Sequence, residues 1–382
     1  MANIKIEPSA SEPMISRYIH TKCAAAGIPA SATFELTSGC NFNCKMCYIH
    51  SPDCKQGGNE LSAAEWISLG NQARELGVIF LLLTGGEPLV RKDFPEIYTA
   101  LKKMGFIISI NTNGSLLCAE IEELFKNNPP SRLNVSLYGA DNETYRRLCG
   151  APRFDRVIEN IRRMRDIGID VKINCSITPD NFGDLEKIYE LAKSLGLHIK
   201  LTTYMYPSVR QNPVNTGFNA GRLSPRDAAY YRVKYSLLNL GEDEFLRRSD
   251  NLNALFDTED ECVDIDADRG VRCRAGRSAL WIDRLGNVYP CGMITGENCN
   301  AVEKGLSECW KTVRAETSCI KTPLKCTACK YRSLCPACAA ACKCETGSFE
   351  TPPDYLCEMS RYTVEFIAEK SEEIRRERND GK

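Results

Sequence analysis

Apolar positions along this chain alternate between two spacings. Short apolar runs bounded by polar and glycine-rich residues occur at Thr33–Leu36, Ile79–Leu83, Phe106–Ile110, Leu133–Leu137, Val171–Ile177 and Ile199–Thr203. Between them lie stretches such as Leu61–Leu76 and Phe154–Ile167, whose apolar residues recur every three or four positions. The first spacing predicts strands and the second amphipathic helices. Ser62-Ala-Ala-Glu65 is a capping-box pattern at the start of the first helix, and Asp93 is a good N-cap for the next. Strands that each precede a helix run parallel and are joined by right-handed crossovers. The expected fold is α/β, a partial (β/α)6 TIM-like barrel over residues 32–206. Such a barrel carries its site at the C-terminal ends of its strands. There the sequence places Cys40–Cys47, Gly85-Gly-Glu87, Asn111-Thr-Asn-Gly114, Ser136 with Tyr138-Gly139, Thr178-Pro-Asp-Asn181 and Tyr204-Met-Tyr-Pro207. A Rossmann sheet is the rival for this alternation, but no GxGxxG follows the first strand.

Outside the barrel the pattern changes. Residues 1–31 form an extension without a motif, in which Met14–Lys22 reads as a short amphipathic helix. Pro207–Arg222 is rich in proline, glycine and asparagine and has no period, so it is a long loop. It leaves the active rim and is a candidate substrate-binding loop, with a plain linker as the alternative. Ser224-Pro-Arg-Asp227 caps a further helix, making residues 207–270 a loop and helical bridge. Ala279–Tyr289 reads as a β-hairpin turning at Leu285-Gly-Asn287, inside a small cysteine-rich domain over 271–360. A C-terminal helix and tail complete the chain at 361–382.

The 382 residues are enough for two cored domains, and a formal net charge of −1 argues against bulk nucleic-acid binding. No run approaches the length of a membrane span, and the N-terminus has no signal-peptide core. Twenty-one cysteines are an odd number. With no secretory signal, they suggest a reducing cytoplasm rather than a disulfide scaffold.

The chemistry centres on Cys40-Asn-Phe-Asn-Cys44-Lys-Met-Cys47. Three thiolates at this spacing suit three irons of a cuboidal cluster, leaving the fourth iron without a protein ligand. A zinc knuckle is the rival and would take Cys54 or His50 as its fourth ligand. Thr84-Gly-Gly-Glu-Pro88 follows the second strand, where glycines allow close backbone approach and Pro88 directs the turn. CxxxCxxC after one strand with GGEP after the next resembles the radical S-adenosylmethionine (radical SAM) superfamily. That resemblance implies a [4Fe-4S] cluster on Cys40, Cys44 and Cys47 whose open iron holds S-adenosylmethionine. It also implies cofactor contacts from Gly85, Gly86, Glu87, Pro88, Asn111, Asn113, Ser136 and an arginine, with Arg147 chosen over Arg146 and Arg153. An Asn-Gly turn is the plain reading of Asn113-Gly114. Met46 stands where the family has an aromatic residue, with Tyr48 just beyond.

A second group comprises Cys273, then Gly286 and Cys291, then Cys326-x2-Cys329-x5-Cys335-x2-Cys338, and Cys357. Zinc ribbons are the bland reading. The order resembles the SPASM domain that follows the barrel in many peptide-modifying relatives, departing by one residue before Cys338. The resemblance implies two auxiliary [4Fe-4S] clusters, three in all. Cys326, Cys329, Cys335 and Cys357 would hold one; Cys273, Cys291 and Cys338 would hold the other, whose fourth ligand the pattern does not fix: Cys262 is the first candidate, Cys342 and Cys344 are further ones, and an open iron is the alternative. Cys23, Cys118, Cys149 and Cys175 read as buried small hydrophobes.

The expected activity is oxidative modification of a ribosomally made peptide or small protein, closing a thioether, ether or carbon–carbon cross-link. The expected partners are that substrate and an electron donor such as flavodoxin or ferredoxin. About 32 residues before the first strand are too few for a winged-helix module, so either a separate leader-peptide-binding protein presents the substrate or the Pro207–Arg222 loop and the cysteine-rich domain bind it directly. Formylglycine formation, as in anaerobic sulfatase maturases, is disfavoured because Gly292 rather than aspartate follows Cys291. A non-enzymatic cluster or zinc scaffold would not need Gly85-Gly-Glu87 at the rim.

Overall fold

The computed structural model describes residues 14–49, 60–257, 269–295 and 299–380. The chain runs α1 (Met14–Ala26), β1 (Ser31–Glu35), α2 (Ala63–Glu75), β2 (Phe80–Thr84), α3 (Phe94–Lys103), β3 (Ile107–Thr112), α4 (Ala119–Asn127) and β4 (Arg132–Ser136). It continues through α5 (Asn142–Cys149), α6 (Phe154–Asp166), β5 (Val171–Ser176), α7 (Leu185–Ser194), β6 (His198–Thr202), α8 (Pro225–Leu240) and α9 (Glu242–Asp257). The remainder is β7 (Ala279–Ile282), β8 (Asn287–Tyr289), β9 (Cys299–Asn300), α10 (Ala301–Lys304), α11 (Leu306–Cys319), α12 (Ala339–Thr346) and α13 (Asp354–Asp380). All six expected barrel strands form, with ends displaced by no more than two residues. The helix expected over Met14–Lys22 continues to Ala26, because three alanines extend it until Gly27 turns out at φ +73°.

The strands make one open sheet in the order β6-β5-β4-β3-β2-β1-β7-β8-β9. Phe34 of β1 lies opposite Leu83 of β2, and Leu83 opposite Ile110 of β3, so apolar side chains stack in register across parallel neighbours. Helices cover the outer face. Phe34 meets Trp66 of α2 at 5.0 Å between ring centroids, and Tyr98 of α3 meets Phe125 of α4 at 5.4 Å. The expected hairpin is present as β7 and β8, with Trp281 opposite Tyr289. Its first strand, β7, pairs in parallel with β1. An unpaired β1 would expose a row of backbone donors and acceptors, and β7 satisfies them.

The chain divides into two units that differ from the boundaries expected from sequence. The first comprises residues 1–175, 186–200 and 273–319, the sheet with most of its helices and the hairpin. The second comprises 176–185, 201–272 and 320–382. Its helices α8, α9 and α13 share a core of Val233, Phe245 and Ile374, flanked by Leu237, Leu240, Leu246, Phe366 and Ile367. Ser224 caps α8 by accepting from the Asp227 N–H, as its sequence predicts. Asp93 stands at the N-cap of α3 as expected, but its side chain makes no cap hydrogen bond: its carboxylate accepts from Arg91 at 2.9 and 2.7 Å instead, since a guanidinium offers two charged donors to one backbone amide. No helix among the described residues is long and apolar enough to cross a membrane.

Candidate active site

The cysteine loop follows β1 and is gripped from three sides, all within the first unit. From β2, the Gly86 N–H donates to Thr37 O and the Glu87 N–H to Gly39 O, each at 2.8 Å. Glu60 accepts from the Ser38 N–H and hydroxyl at 2.8 and 3.0 Å, while Arg91 donates to Leu36 O at 2.9 Å. From the end of β3, Asn113 Nδ2 donates to Asn41 Oδ1, and Asn41 Nδ2 donates to Ser115 Oγ, each at 2.8 Å. From the last turn of α5, Cys149 O and Leu148 O accept from the Asn43 and Lys45 N–H groups at 2.9 and 3.1 Å. These clamps act on backbone, serine and asparagine groups rather than on the three thiols.

Gly85 and Gly86 have a reason the sequence did not reveal. A Cβ on Gly85 would lie 2.5 Å from Thr37 O, and one on Gly86 would lie 2.6 Å from Ser38 O and closer still to Gly39 O. The close approach is to the backbone of the cysteine loop. Substituting Gly86→Ala must push that loop away, at about 1–3 kcal/mol for an overpacked contact. We expect this variant to load less iron in the barrel site and to cleave S-adenosylmethionine about 100-fold more slowly, as displaced reacting groups do. Iron assay and 5′-deoxyadenosine release measure both effects, and wild-type values in both would refute the bracing role.

Glu87 is fully enclosed and accepts from the Asn113 N–H at 2.6 Å, the Thr112 hydroxyl at 2.9 Å and the Leu89 N–H at 3.1 Å. Burial pushes its carboxyl up to about 7 against those donors. Pro88 is buried and starts the turn that Glu87 caps. Asn111 Oδ1 accepts from Asn134 Nδ2 at 3.0 Å. Ser136 is half-buried at the end of β4, and its carbonyl lies 3.4 Å from the Tyr145 hydroxyl. Arg147 contacts Thr144 at 3.3 Å and Glu143 at 4.0 Å on its own helix.

The three thiols fit a positively charged metal group. Burial, above all else, raises Cys40 to about 12, although the Phe42 N–H opposes this at 3.4 Å from its sulfur. Cys44 is also held up, first by a hydrogen bond with the fully buried Cys149 and then by burial. Such thiols are poor anions unless a cation displaces the proton. Among the described residues no three His, Cys, Asp or Glu side chains converge as ligands of a single ion would. A cuboidal cluster takes each thiolate to a different iron and so accepts a wider set. His50, Cys54 and Cys262 lie outside the described residues.

In the second unit, Cys326, Cys329, Cys335 and Cys357 lie within electrostatic reach of one another. Burial raises Cys357 to about 11, with Cys335, Cys326 and Cys329 adding to it. Burial likewise raises Cys326, helped by Cys335 and Cys329. Cys342 belongs to this neighbourhood: burial and then Cys326, Cys338 and Cys335 push it up to about 12. The sequence offered Cys342 only as a further ligand candidate, one helical turn past Cys338. Cys338 N-caps α12, its sulfur accepting from the Ala341 N–H at 3.5 Å. Cys273 is exposed and Cys291 half-buried, and both lie in the first unit. Cys149 and Cys175 are buried as expected, but Cys23 is half-buried and Cys118, preceding α4, is exposed. Cys299 and Cys309 form a disulfide with Cα atoms 5.1 Å apart, joining β9 to α11. Nothing in their spacing had singled them out. Asn41, Ser115 and the end of α5 were missed as well; only the polar run at the end of β3 hinted at Ser115.

Residues 34–192 match the sequence profile of the Radical SAM superfamily. The AdoMet-dependent heme synthase of Methanosarcina barkeri is 27% identical over 343 residues, covering 85% of this chain and 95% of that protein. A probable GTP 3′,8-cyclase of Saccharolobus solfataricus is 36% identical over 166 residues, 43% of this chain and about half (53%) of that protein. Among solved structures, Streptococcus suis SuiB bound to precursor peptide SuiA superposes with a TM-score of 0.66 at 19% identity, covering 94% of this chain and 84% of SuiB. Native anSMEcpe with bound AdoMet gives 0.66 at 18% identity, covering 91% and 99%. At these identities the two structures speak to the fold, an open parallel barrel of the same kind.

Proposed function

We propose that this chain, a radical SAM superfamily enzyme, oxidatively modifies a peptide or small protein, with S-adenosylmethionine as its radical source. The observation that carries the reading is the second thiol assembly. Cys326, Cys329, Cys335 and Cys357 lie within electrostatic reach of one another in a chain that already presents Cys40, Cys44 and Cys47 on the barrel rim. When bound, the barrel cluster supplies the electron that splits S-adenosylmethionine and yields a 5′-deoxyadenosyl radical able to remove a substrate hydrogen. The chain's own part is to hold the site. Gly85, Gly86, Glu87 and Pro88 brace the cysteine loop, and we assign Asn111, Asn113, Ser136 and Arg147 to the bound S-adenosylmethionine. Arg147 would have to leave Glu143, a surface pair whose loss costs little. Removal of one hydrogen atom leaves one further electron to be lost before a closed-shell product forms. Auxiliary clusters on the cysteines after residue 270 give that electron a route to a ferredoxin- or flavodoxin-type partner.

Two features support a peptide substrate. Structures sharing this fold bind one: SuiB with precursor peptide SuiA, and anSMEcpe with the Kp18Cys peptide. In the loop after β6, Val214 is 85% and Phe218 59% exposed, apolar side chains suited to a peptide's own. A second reading, a tetrapyrrole substrate, is favoured by the similarity to AdoMet-dependent heme synthase over most of both chains. The test is anaerobic reconstitution with iron and sulfide, followed by S-adenosylmethionine and reductant with either short cysteine-containing peptides or iron porphyrins bearing propionates. A peptide that stimulates 5′-deoxyadenosine release and loses a pair of hydrogens by mass spectrometry supports the first reading. Turnover of the porphyrin alone would replace it with the second.

A further inference from the structure

We propose that Tyr206 is a positioning residue that sets the reduction potential of the auxiliary cluster held by Cys338, through a hydrogen bond from its phenol to the Cys338 sulfur. The inference rests on the reading of Cys338 as a cluster ligand. The phenol, the Cys338 sulfur and the groups that hold the phenol in place all lie in the second unit. The Tyr206 hydroxyl is 3.5 Å from Cys338 Sγ, and the Ala341 N–H reaches the same sulfur at 3.5 Å. A thiol could donate to the phenol, but an iron-bound thiolate carries no proton. In that state both contacts run toward the sulfur. Hydrogen bonds to ligand sulfur favour the more negatively charged, reduced cluster and so raise its potential.

The surroundings hold the phenol at that sulfur. Asn219 Nδ2 donates to Tyr206 O at 2.6 Å, and Asn219 Oδ1 accepts from the Gly221 N–H at 2.8 Å. The Tyr206 ring lies 5.0 Å from that of Tyr204, whose hydroxyl donates to Glu345 Oε1 on α12 at 2.8 Å. Arg222 donates to the same Glu345 oxygen at 2.7 Å and to Gly217 O at 2.6 Å, and its guanidinium stacks 4.1 Å from the Tyr355 ring. The Gly217 N–H donates to Cys344 O on α12 at 3.0 Å. Glu345 and Arg222 are mostly buried, so their pairing is shielded from water and holds one geometry. The loop from Tyr206 to Arg222 is thus tied to α12 at its start, middle and end. It is the same loop that carries exposed Val214 and Phe218, so the phenol joins the candidate substrate loop to a cluster ligand.

The test uses the full chain, reconstituted anaerobically, with EPR-monitored redox titration of each cluster. Tyr206→Phe keeps the ring and removes the donor. It should move one auxiliary midpoint to more negative potential and leave the barrel cluster's midpoint in place, at unchanged iron content. 3-Fluorotyrosine at position 206, a stronger donor of nearly the same size, should move that midpoint the opposite way. A ring that merely fills space would give no shift in either variant, and that result overturns the proposal. If Tyr206→Phe fails to load iron, the fluorotyrosine protein decides alone: a positive shift supports the proposal and an unmoved midpoint refutes it. Cys338→Ala separates the premise from the inference. If it retains every auxiliary signal, the ligand reading itself falls; if it loses one that Tyr206→Phe leaves unshifted, only the role of the phenol falls.

Discussion

On the proposed reading, replacing Cys40, Cys44 or Cys47 by alanine should abolish 5′-deoxyadenosine release and, with three [4Fe-4S] clusters proposed, leave about eight of about twelve irons. The loop itself should survive the change. Its shape is set by Gly86 and Glu87 on Thr37 and Gly39, by Cys149 and Leu148 on Asn43 and Lys45, and by Asn113 on Asn41, none of which uses a cluster thiol side chain. Each such bond contributes about 0.5–1.5 kcal/mol net, so losing one thiol leaves most of the loop's stabilisation in place. The loss is therefore chemical: two thiolates cannot hold the cuboid with one iron open. Iron assay and chromatography of the reaction mixture measure the two halves of the result. A triple alanine variant that still cleaves S-adenosylmethionine would end the radical reading. Zinc rather than iron in the second thiol group, with only about four irons per chain, would end the auxiliary-cluster reading while leaving the first intact.

The second large effect is uncoupling. Cys291→Ala and Cys329→Ala should still form 5′-deoxyadenosine when given a reductant, yet make little or no oxidised product. In the proposed scheme cleavage needs only the barrel site, whereas the last electron leaves the substrate through an acceptor, and each variant would remove a thiolate from one proposed auxiliary set. Folding is the confounder, since clusters can hold small domains together. Here both regions have other support. The hairpin carrying Cys291 is paired through β7 to β1, and α8, α9 and α13 of the second unit share their own apolar core. Far-UV circular dichroism and a thermal melt should therefore match the wild type closely. A folded variant that lacks its auxiliary cluster and makes product at the wild-type rate would show those clusters to be structural.

The barrel was legible because its signals are local. A period of two or near 3.6 within a dozen residues decides strand or helix, and the capping box at Ser62 needs only four residues to be read. The triad at Cys40, Cys44 and Cys47 and the glycines at 85 and 86 were legible for the same reason. Their meaning was less so. Besides the ligand contact that the sequence suggests for the glycines, their close neighbours are Thr37, Ser38 and Gly39, nearly fifty residues earlier. Asp93 had the right residue type for a cap, but Arg91 folds onto it and takes the carboxylate.

From the sequence alone follow the six-strand β/α alternation, the rim that bears Cys40, Glu87 and Asn113, the hairpin at Ala279–Tyr289 and the loop after β6. Each is set by side-chain period, turn residues or capping chemistry within one segment. Tertiary structure decided that β7 completes the sheet beside β1, that Cys149 hydrogen-bonds Cys44, that Cys299 pairs with Cys309, and that Cys342 joins the thiols of Cys326 and Cys335. Those contacts depend on which surfaces remain unsatisfied once the elements form. An open strand edge, a buried thiol and a helix end each take whatever partner the packing brings, and no local pattern encodes that choice.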